Sequence, residues 1–153
     1  MKTFGQKDPY LHYYTRPGAY LIAFEEDYVI LVETPKGYFL PGGGLDADET
    51  HEECIRRECL EELGYTVKIH GKLAEAEMYT VHPTIGPFHP VQYYYTGTLL
   101  EPVTEPVETD HRMVWVPKEV FDTGHPAYAE QAGKFVVPCQ LWAVSKALGF
   151  PDA

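Results

Sequence analysis

The sequence is poor in cysteine and has no long apolar run. Its three cysteines are Cys54, Cys59 and Cys139. An odd count without CxxC spacing supports neither a disulfide framework nor a zinc knuckle, so we expect reduced, structural thiols. No apolar stretch approaches the roughly 20 residues of a membrane-spanning helix, and the apolar core of a secretory signal is missing from MKTFGQKDPYLHYYTR at the start. We therefore expect a cytoplasmic protein without membrane contact.

Positive charge is also scarce. Twelve Lys and Arg residues stand against 23 Asp and Glu residues, which gives a formal net charge of −11. Binding to a nucleic-acid backbone depends on cations that neutralise phosphates. This charge balance argues against a nucleic-acid polymer as a partner, and a phosphorylated small molecule would need a metal ion to screen its charge.

The length favours a single folded unit. A chain of 153 residues, 44% of them hydrophobic, can bury one core but is short for two, so we predict one domain over residues 1–153. Pro and Gly, 13 of each, divide the chain into short elements.

Strand patterns occupy much of the chain. The segments AYLIAF (19–24) and YVILVET (28–34) predict a strand pair joined by a tight turn. A short strand at GYFL precedes PGGG (41–44), which by itself is typical of a turn. Further strands are predicted at 66–81, 91–100 and 113–116, with a Pro-rich loop, HPTIGPFHP, at 82–90.

Helix signals are clearest in the middle of the chain. Thr50 followed by Glu53 has the pattern of a capping box, and Gly64 stands where helices commonly end. These signals predict a helix from about His51 to Leu63.

Two more helices are predicted in the last third. A short one follows Pro117, and a longer one near 138–148 ends at Gly149. Strands with helices on more than one side predict a layered α/β/α arrangement.

The central helix carries three carboxylates on one face. An α-helix turns about 100° per residue, so Glu58, Glu61 and Glu62 fall within an arc of roughly 100°. The neighbouring arc bears an apolar stripe that would dock the helix on the sheet, formed by Ile55, Cys59 and Leu63.

Most acidic helix faces are only solvated surface, but this one has two unfavourable features. Like charges three or four residues apart destabilise a helix by about 0.2–0.5 kcal/mol per pair. Glu61 and Glu62 also lie in the last turn, where the helix dipole disfavours anions. A bound divalent cation reverses both effects, because hard oxygen ligands are what Mg²⁺ and Mn²⁺ prefer. Three glutamates alone still favour a solvated surface, and a site for Mg²⁺, or for Mn²⁺ in its place, is predicted only when the complete motif around them is counted.

The segment 43–65 resembles the signature box of the Nudix hydrolase family, including its MutT-like members. The box is Gly, five residues, Glu, seven residues, then Arg-Glu-U-x-Glu-Glu-x-Gly-U, where U is bulky and apolar. Seven fixed positions would coincide by chance in such a chain with a probability on the order of 10⁻⁷. The matching residues are Gly43, Glu49, Arg57, Glu58, Cys59, Glu61, Glu62, Gly64 and Tyr65.

Weaker similarity extends beyond the box to YFLPGG, MVWVPKEVF and QLWAVSKAL. Together these matches imply the Nudix fold, an α/β/α sandwich with a mixed sheet. The family resemblance implies a Mg²⁺-dependent hydrolase that cleaves a diphosphate bond. Its substrate would be a nucleoside diphosphate linked to another moiety X, such as a nucleoside triphosphate.

The resemblance also implies roles for individual residues. Glu58 and Glu62 correspond to the principal metal ligands, Glu61 to a ligand or the general base, and the carbonyl of Gly42 to a further ligand. Glu49 and Arg57 are similar to the family's salt-bridged pair, which orients the ligating glutamates.

Substrate contacts are expected from the glycine loop and from the end of the second predicted strand. Gly43 and Gly44 allow close approach of the backbone to a ligand. Lys36 in VETPKG could hold phosphate, although without the bidentate fork of an arginine.

The sequence leaves the identity of the general base open. Glu105, Glu108 and Asp110 precede MVWV in a segment that often returns a carboxylate to the site, and a charged loop explains each of them equally well.

The aromatic and histidine residues after residue 80 also allow two interpretations. His82, Phe88 and His89, with Tyr93 to Tyr95, could line a base pocket by stacking, although packing roles carry more weight. Spacing identifies no partner for His111 or His125.

Two other function classes compete with the enzyme. One is a non-catalytic nucleotide-sensing or nucleotide-binding module with the same fold, and the other is an interaction domain whose acidic helix meets a basic partner. Carboxylates retained in the last turn of a helix favour the enzyme. The identity of X and the oligomeric state, monomer or homodimer, are left open by the sequence.

Overall fold

The structure, a computed structural model, describes residues 1–107 and 109–151. Glu108, one of the three candidate bases near MVWV, lies outside the described residues. The elements, in chain order, are β1 (Lys2–Phe4), β2 (Tyr14–Glu25), β3 (Tyr28–Thr34), β4 (Gly37–Phe39), β5 (Gly42–Gly44), α1 (His51–Leu63), β6 (Tyr65–Met78), β7 (Thr80–His82), β8 (Gly86–Pro102), β9 (Arg112–Pro117), a 3₁₀ helix (Lys118–Phe121), α2 (Tyr128–Ala132) and α3 (Pro138–Ala147).

The strands form one mixed sheet. Its main path runs β1-β6-β8-β2-β3-β4, while β5 pairs with β2, β7 with β8 and β9 with β3. The pairs β1·β6 and β2·β8 are parallel, and the other pairs are antiparallel. Strand β2 therefore contacts β8 along one edge and, on the other, β5 first and then β3.

Helices cover both faces of this sheet. Side chains on alternate positions of β2 point to opposite faces, so Leu21 packs with Ile55 and Cys59 of α1, whereas Ile22 packs in the second core with Val144 of α3. These two cores confirm the predicted α/β/α sandwich. None of the described helices is both long enough and apolar enough to cross a membrane.

Helix α1 begins and ends where the sequence predicts. The Thr50 side chain accepts a hydrogen bond from the Glu53 amide, and the Glu53 side chain accepts one from the Thr50 amide, which completes the capping box. Gly64 adopts a left-handed conformation with φ 75° and donates its amide to the carbonyl of Leu60. Both signals are local to the chain, which explains the agreement.

The prediction of a Pro-rich loop at 82–90 is wrong. Residues 86–90 already belong to β8, and only 83–85 form a turn between β7 and β8. Pro90 is tolerated because it falls between the last β6 pair, Glu77–Val91, and the first β7 pair, Thr80–Phe88, where the ladder is interrupted.

Other boundaries differ by smaller amounts. Strand β2 starts at Tyr14, five residues before the predicted segment, and α3 ends at Ala147. The helix predicted after Pro117 is a 3₁₀ turn. Three short elements, β1, β5 and α2, were not predicted, since a run of three to five residues carries no resolvable periodicity.

Candidate active site

The glycine strand β5 is inserted between β2 and the carboxylates of α1. Gly42 has a φ of 142°, and its amide donates a 2.9 Å hydrogen bond to Oε1 of Glu62. A Cβ on Gly43 would lie 2.7 Å from the Glu58 carboxyl group. Only residues without side chains can occupy this strand while the two carboxylates stay in place.

The carbonyls of β5 tie the strand to the helix. Cys54 Sγ donates to the carbonyl of Gly43 at 3.3 Å, and Arg57 Nη2 donates to the carbonyl of Gly44 at 3.2 Å. The amide of Gly42 holds the Glu62 carboxylate at the cleft, so Gly42 positions a residue that was predicted to be a metal ligand.

Arg57 connects the loop before α1 to the carboxylates of the helix. Its guanidinium binds Glu49 through Nε at 2.7 Å and Nη2 at 2.9 Å. Nη1 lies 2.9 Å from Oε1 of Glu58 and 3.5 Å from Oε2 of Glu61. The hydrogen bond from Arg57 is the main reason that the pKa of Glu49 falls from 4.5 to about 2, and its carboxylate neighbours raise the pKa of Arg57.

The three glutamates predicted as metal ligands do not occupy equivalent positions. Glu58 and Glu62 line a cleft, and Glu62 is 7% exposed. The Glu61 side chain is 40% exposed and turns towards Arg57. Within 1–107 and 109–151, no three His, Cys, Asp or Glu side chains converge closely enough to hold a metal ion as they stand. The donor chemistry nevertheless fits a hard divalent cation, because two cleft-facing carboxylates are packed against side-chain-free backbone.

His111 is the partner of this cluster that the sequence did not reveal. Its Nδ1 lies 3.8 Å from Oε2 of Glu62, and its Nε2 lies 3.7 Å from Oδ1 of Asp110. Nδ1 is buried without a hydrogen-bond partner among the described residues. The antiparallel pairing of β9 with β3 brings His111, just before β9, to the cleft, and no local spacing could have predicted that contact.

Of the residues predicted as candidates for the general base, Asp110 lies at the cleft and Glu105 does not. Asp110 lines the cleft with its side chain 64% exposed. Glu105 lies on the exposed segment after β8, and in the described part of the chain it does not line this cleft.

Two cationic side chains line the same cleft as the carboxylates. The cleft has a volume of about 540 Å³, and Lys36 and Arg16 are among the residues that line it. Lys36 was predicted to contact phosphate, whereas Arg16 was not singled out. The pairing of Gly18 with Gly44 places Arg16 against β5, where a Cβ on Gly44 would lie 2.6 Å from its Nε. Gly43 thus lines the carboxylate cleft and Gly44 the adjoining pocket.

That second pocket, of about 380 Å³, opens beside the carboxylate cleft. The two share four lining residues, Arg16, Tyr20, Lys36 and Phe39. Apolar side chains of the second pocket include Met78, Phe88 and Pro90. We refer to it as the apolar pocket. Its size lies at the low end of small-ligand pockets, roughly 300–1,000 Å³.

The aromatic and histidine residues after residue 80 divide between pocket and packing. His82 and Phe88 line the apolar pocket. His89 instead binds Glu77 through Nε2 at 2.7 Å and stacks on Tyr79.

The three consecutive tyrosines of β8 also divide. Tyr94 is fully buried in the core. Tyr93 and Tyr95 contact His51 on the α1 side, away from the apolar pocket.

Comparisons with known proteins agree with this geometry. The family model described as NUDIX domain matches residues 14–136. A NUDIX hydrolase from Nitrosomonas europaea has a similar fold, with TM-score 0.71 and 16% identity over 90% of this chain and 93% of that chain. A MutT NUDIX hydrolase from Burkholderia pseudomallei gives TM-score 0.65 and 20% identity over 87% of this chain and 98% of that one.

An ADP-ribose pyrophosphatase from Streptococcus suis is also similar, with TM-score 0.58 and 21% identity over 87% of this chain and 91% of that chain. No match to a curated protein was found. The family model spans most of the chain, including the glycine strand and all of α1. The chain therefore belongs to the NUDIX domain family, the family of the Nudix hydrolases.

Proposed function

We propose that the protein is a Mg²⁺-dependent pyrophosphohydrolase that cleaves the diphosphate bond of a nucleoside diphosphate linked to a moiety X, with Mn²⁺ able to replace Mg²⁺. One observation carries the proposal: the carboxylate cleft and the apolar pocket adjoin and share Arg16 and Lys36. This arrangement provides for an apolar group, a chain of phosphates and a metal ion side by side.

Glu58 and Glu62 are the proposed principal metal ligands. Glu61 is proposed as a further ligand or as the general base, and the carbonyl of Gly42 as an additional ligand. When bound, a divalent cation lowers the pKa of a coordinated water and offsets charge on the phosphates. Arg57 and Glu49 orient this set, since Arg57 contacts both Glu58 and Glu61.

Arg16 and Lys36 are the proposed phosphate ligands. They lie where the cleft and the apolar pocket meet. Arginine offers a bidentate fork for phosphate oxygens, and lysine offers a compact point charge. The protein carries a net charge of −11, so these cations and the metal would together attract the polyphosphate.

The substrate class follows from the same arrangement. The apolar pocket suits one end of a nucleotide, and the similar ADP-ribose pyrophosphatase from Streptococcus suis is named for a nucleoside diphosphate derivative. We infer a small-molecule nucleotide-like substrate and no nucleic-acid polymer.

A substrate panel tests the proposal. Purified protein with Mg²⁺ is incubated with nucleoside triphosphates, ADP-ribose, sugar nucleotides and dinucleoside polyphosphates, and phosphate or pyrophosphate release is measured before and after phosphatase treatment. Turnover of at least one compound, abolished by a chelator, is expected. If no compound is hydrolysed and a Mn²⁺ titration detects no binding, the enzyme proposal fails, and nucleotide binding alone would identify a sensing module.

A further inference from the structure

Gln92 is a buried amide at the wall of the apolar pocket. It lies on β8, is 4% exposed and lines the pocket beside Pro90. A buried amide is costly unless its donors and acceptors are satisfied. The direction of its hydrogen bonds therefore decides which group it presents to a ligand.

A chain of hydrogen bonds fixes that direction from a backbone amide. The Leu40 amide, which can only donate, lies 2.7 Å from Oε1 of Gln140. The oxygen of Gln140 is thereby identified, so its Nε2 donates to Oε1 of Gln92 at 3.1 Å. Tyr94 donates its hydroxyl to the same Gln92 oxygen at 2.7 Å.

The nitrogen of Gln92 is left on the opposite side of the amide. Its one hydrogen bond among the described residues is a long contact of 3.5 Å to Oη of Tyr20. Tyr20 also lines the apolar pocket, and burial raises its pKa, so the phenol stays protonated. Since an amide nitrogen carries two hydrogens, Gln92 has donor capacity at the pocket wall that the protein does not fully use.

We propose that Gln92 is a specificity-determining residue that selects a nucleobase presenting a carbonyl oxygen over one presenting an amino group. The proposal rests on the proposed function, because it assigns the base of the nucleotide to the apolar pocket. Phe88 and Met78 offer apolar surface to a flat ring. An amino group at the same place would set donor against donor, since the Gln140 amide, whose own direction is fixed by the Leu40 amide, prevents Gln92 from reversing.

The first test uses the unmodified protein. Matched pairs that exchange a carbonyl for an amino group are compared with identical phosphates: inosine against adenosine nucleotides and uridine against cytidine nucleotides. Values of kcat/KM are measured for the diphosphate-containing compounds, and Kd is measured by calorimetry for the nucleoside monophosphates without metal. A preference of about tenfold for the carbonyl base is expected in both pairs.

The two measurements separate this inference from the proposed function. Preferential binding of inosine and uridine monophosphates without turnover of any compound would support the role of Gln92 and contradict the enzyme proposal. Turnover in which amino bases do as well as carbonyl bases would overturn the role of Gln92 and leave the enzyme proposal standing.

Variants then test whether the preference comes from Gln92. Gln92→Met removes the donor and is expected to bring the ratio within each pair close to one. Gln140→Met keeps Gln92 but releases its orientation, so the ratio is expected to fall there too. The ratio is measured within one preparation, so partial loss of folded protein does not alter it. An unchanged ratio in Gln92→Met would overturn the proposal, and the wild-type ratio decides it if either variant fails to fold.

Discussion

Arg57 binds Glu49 with two nearly parallel hydrogen bonds, Nε to Oε2 at 2.7 Å and Nη2 to Oε1 at 2.9 Å. The pair fastens the loop before α1 to the helix, and Nη1 of the same guanidinium contacts Glu58 at 2.9 Å. The Arg57 guanidinium thus fixes the position of the Glu58 carboxylate relative to the loop before α1.

Replacing Arg57 with Lys should lower activity strongly while keeping the fold. A lysine cannot form the bidentate pair and reach Glu58 together, and groups that orient metal ligands are worth about 10- to 100-fold in activity. The measurement is kcat with Mg²⁺ alongside a thermal unfolding curve. Arg56→Lys is the matched control, because Arg56 is exposed and, among the described residues, its one ion pair is a 3.5 Å contact with Glu52. Equal activity of the two variants would contradict the positioning role.

The Glu49–Arg57 pair should also make stability depend on acid pH. Folding holds the pKa of Glu49 at about 2, below the ordinary 4.5. A carboxyl with a lowered pKa in the folded state stabilises the protein above its unfolded pKa, and this contribution disappears as pH falls towards the folded value. The difference in unfolding free energy between wild type and Glu49→Gln should therefore shrink from pH 5 downward to about pH 2. A difference that stays constant over this range would argue against the pair.

Gly43→Ala should impair activity more than stability. Its Cβ would lie 2.7 Å from the Glu58 carboxyl group and push it from its position. Misplacing a reacting group by about 1 Å can cost on the order of 100-fold in rate. Gly71→Ala is the control, because a Cβ there meets nothing within 4 Å. Activity assays with thermal melts of both variants test this, and full activity of Gly43→Ala would mean that the position of Glu58 is not critical.

Glu58→Gln and Glu62→Gln should each reduce Mg²⁺-dependent turnover by at least about 100-fold, since mutating residues that only orient a ligand already costs about 10- to 100-fold. Glutamine keeps an oxygen that can accept the Gly42 amide in place of Glu62, so the fold should persist. The unfolding midpoint of Glu62→Gln should stay equal or rise, because an anion is removed from the last helical turn.

Glu52→Gln is the matched control on the same helix, since Glu52 is 55% exposed and forms its ion pair with the exposed Arg56. Wild-type turnover in both cleft variants would contradict their role as ligands, and an equal loss in Glu52→Gln would indicate a general effect of charge on the helix.

The parts of this molecule that local chemistry determines could be predicted from the sequence. Helix α1 has both of its predicted ends because Thr50, Glu53 and Gly64 act on their immediate neighbours. The paired strands β2 and β3 follow from their apolar segments and the short turn between them. The family followed from the spacing of the box, which the NUDIX domain model matches.

The remaining features depend on contacts between distant segments. The prolines led to the prediction of a loop at 82–90. The sequence does not show the interruption between β6 and β7 that accommodates Pro90, because it arises from the pairing of strands in the sheet. Arg16 reaches the cleft through the pairing of β2 with β5, and His111 through the pairing of β9 with β3. The position of Glu61, which contacts Arg57 but does not line the cleft with Glu58 and Glu62, likewise depends on the loop that holds Arg57 through Glu49.

The alternation of side chains along β2 limits how this site can change during evolution. Arg16, Gly18 and Tyr20 lie on alternate positions that line the apolar pocket, while Ala19 and Leu21 belong to the core beneath α1. A one-residue insertion or deletion here would exchange the two faces. Such a change would disrupt both the pocket wall and the apolar surface on which α1 packs. Changes of substrate preference should therefore arise more readily in the β7–β8 turn, where Pro83 and Ile85 line the apolar pocket, than in strand β2, which carries both the pocket wall and the core beneath α1.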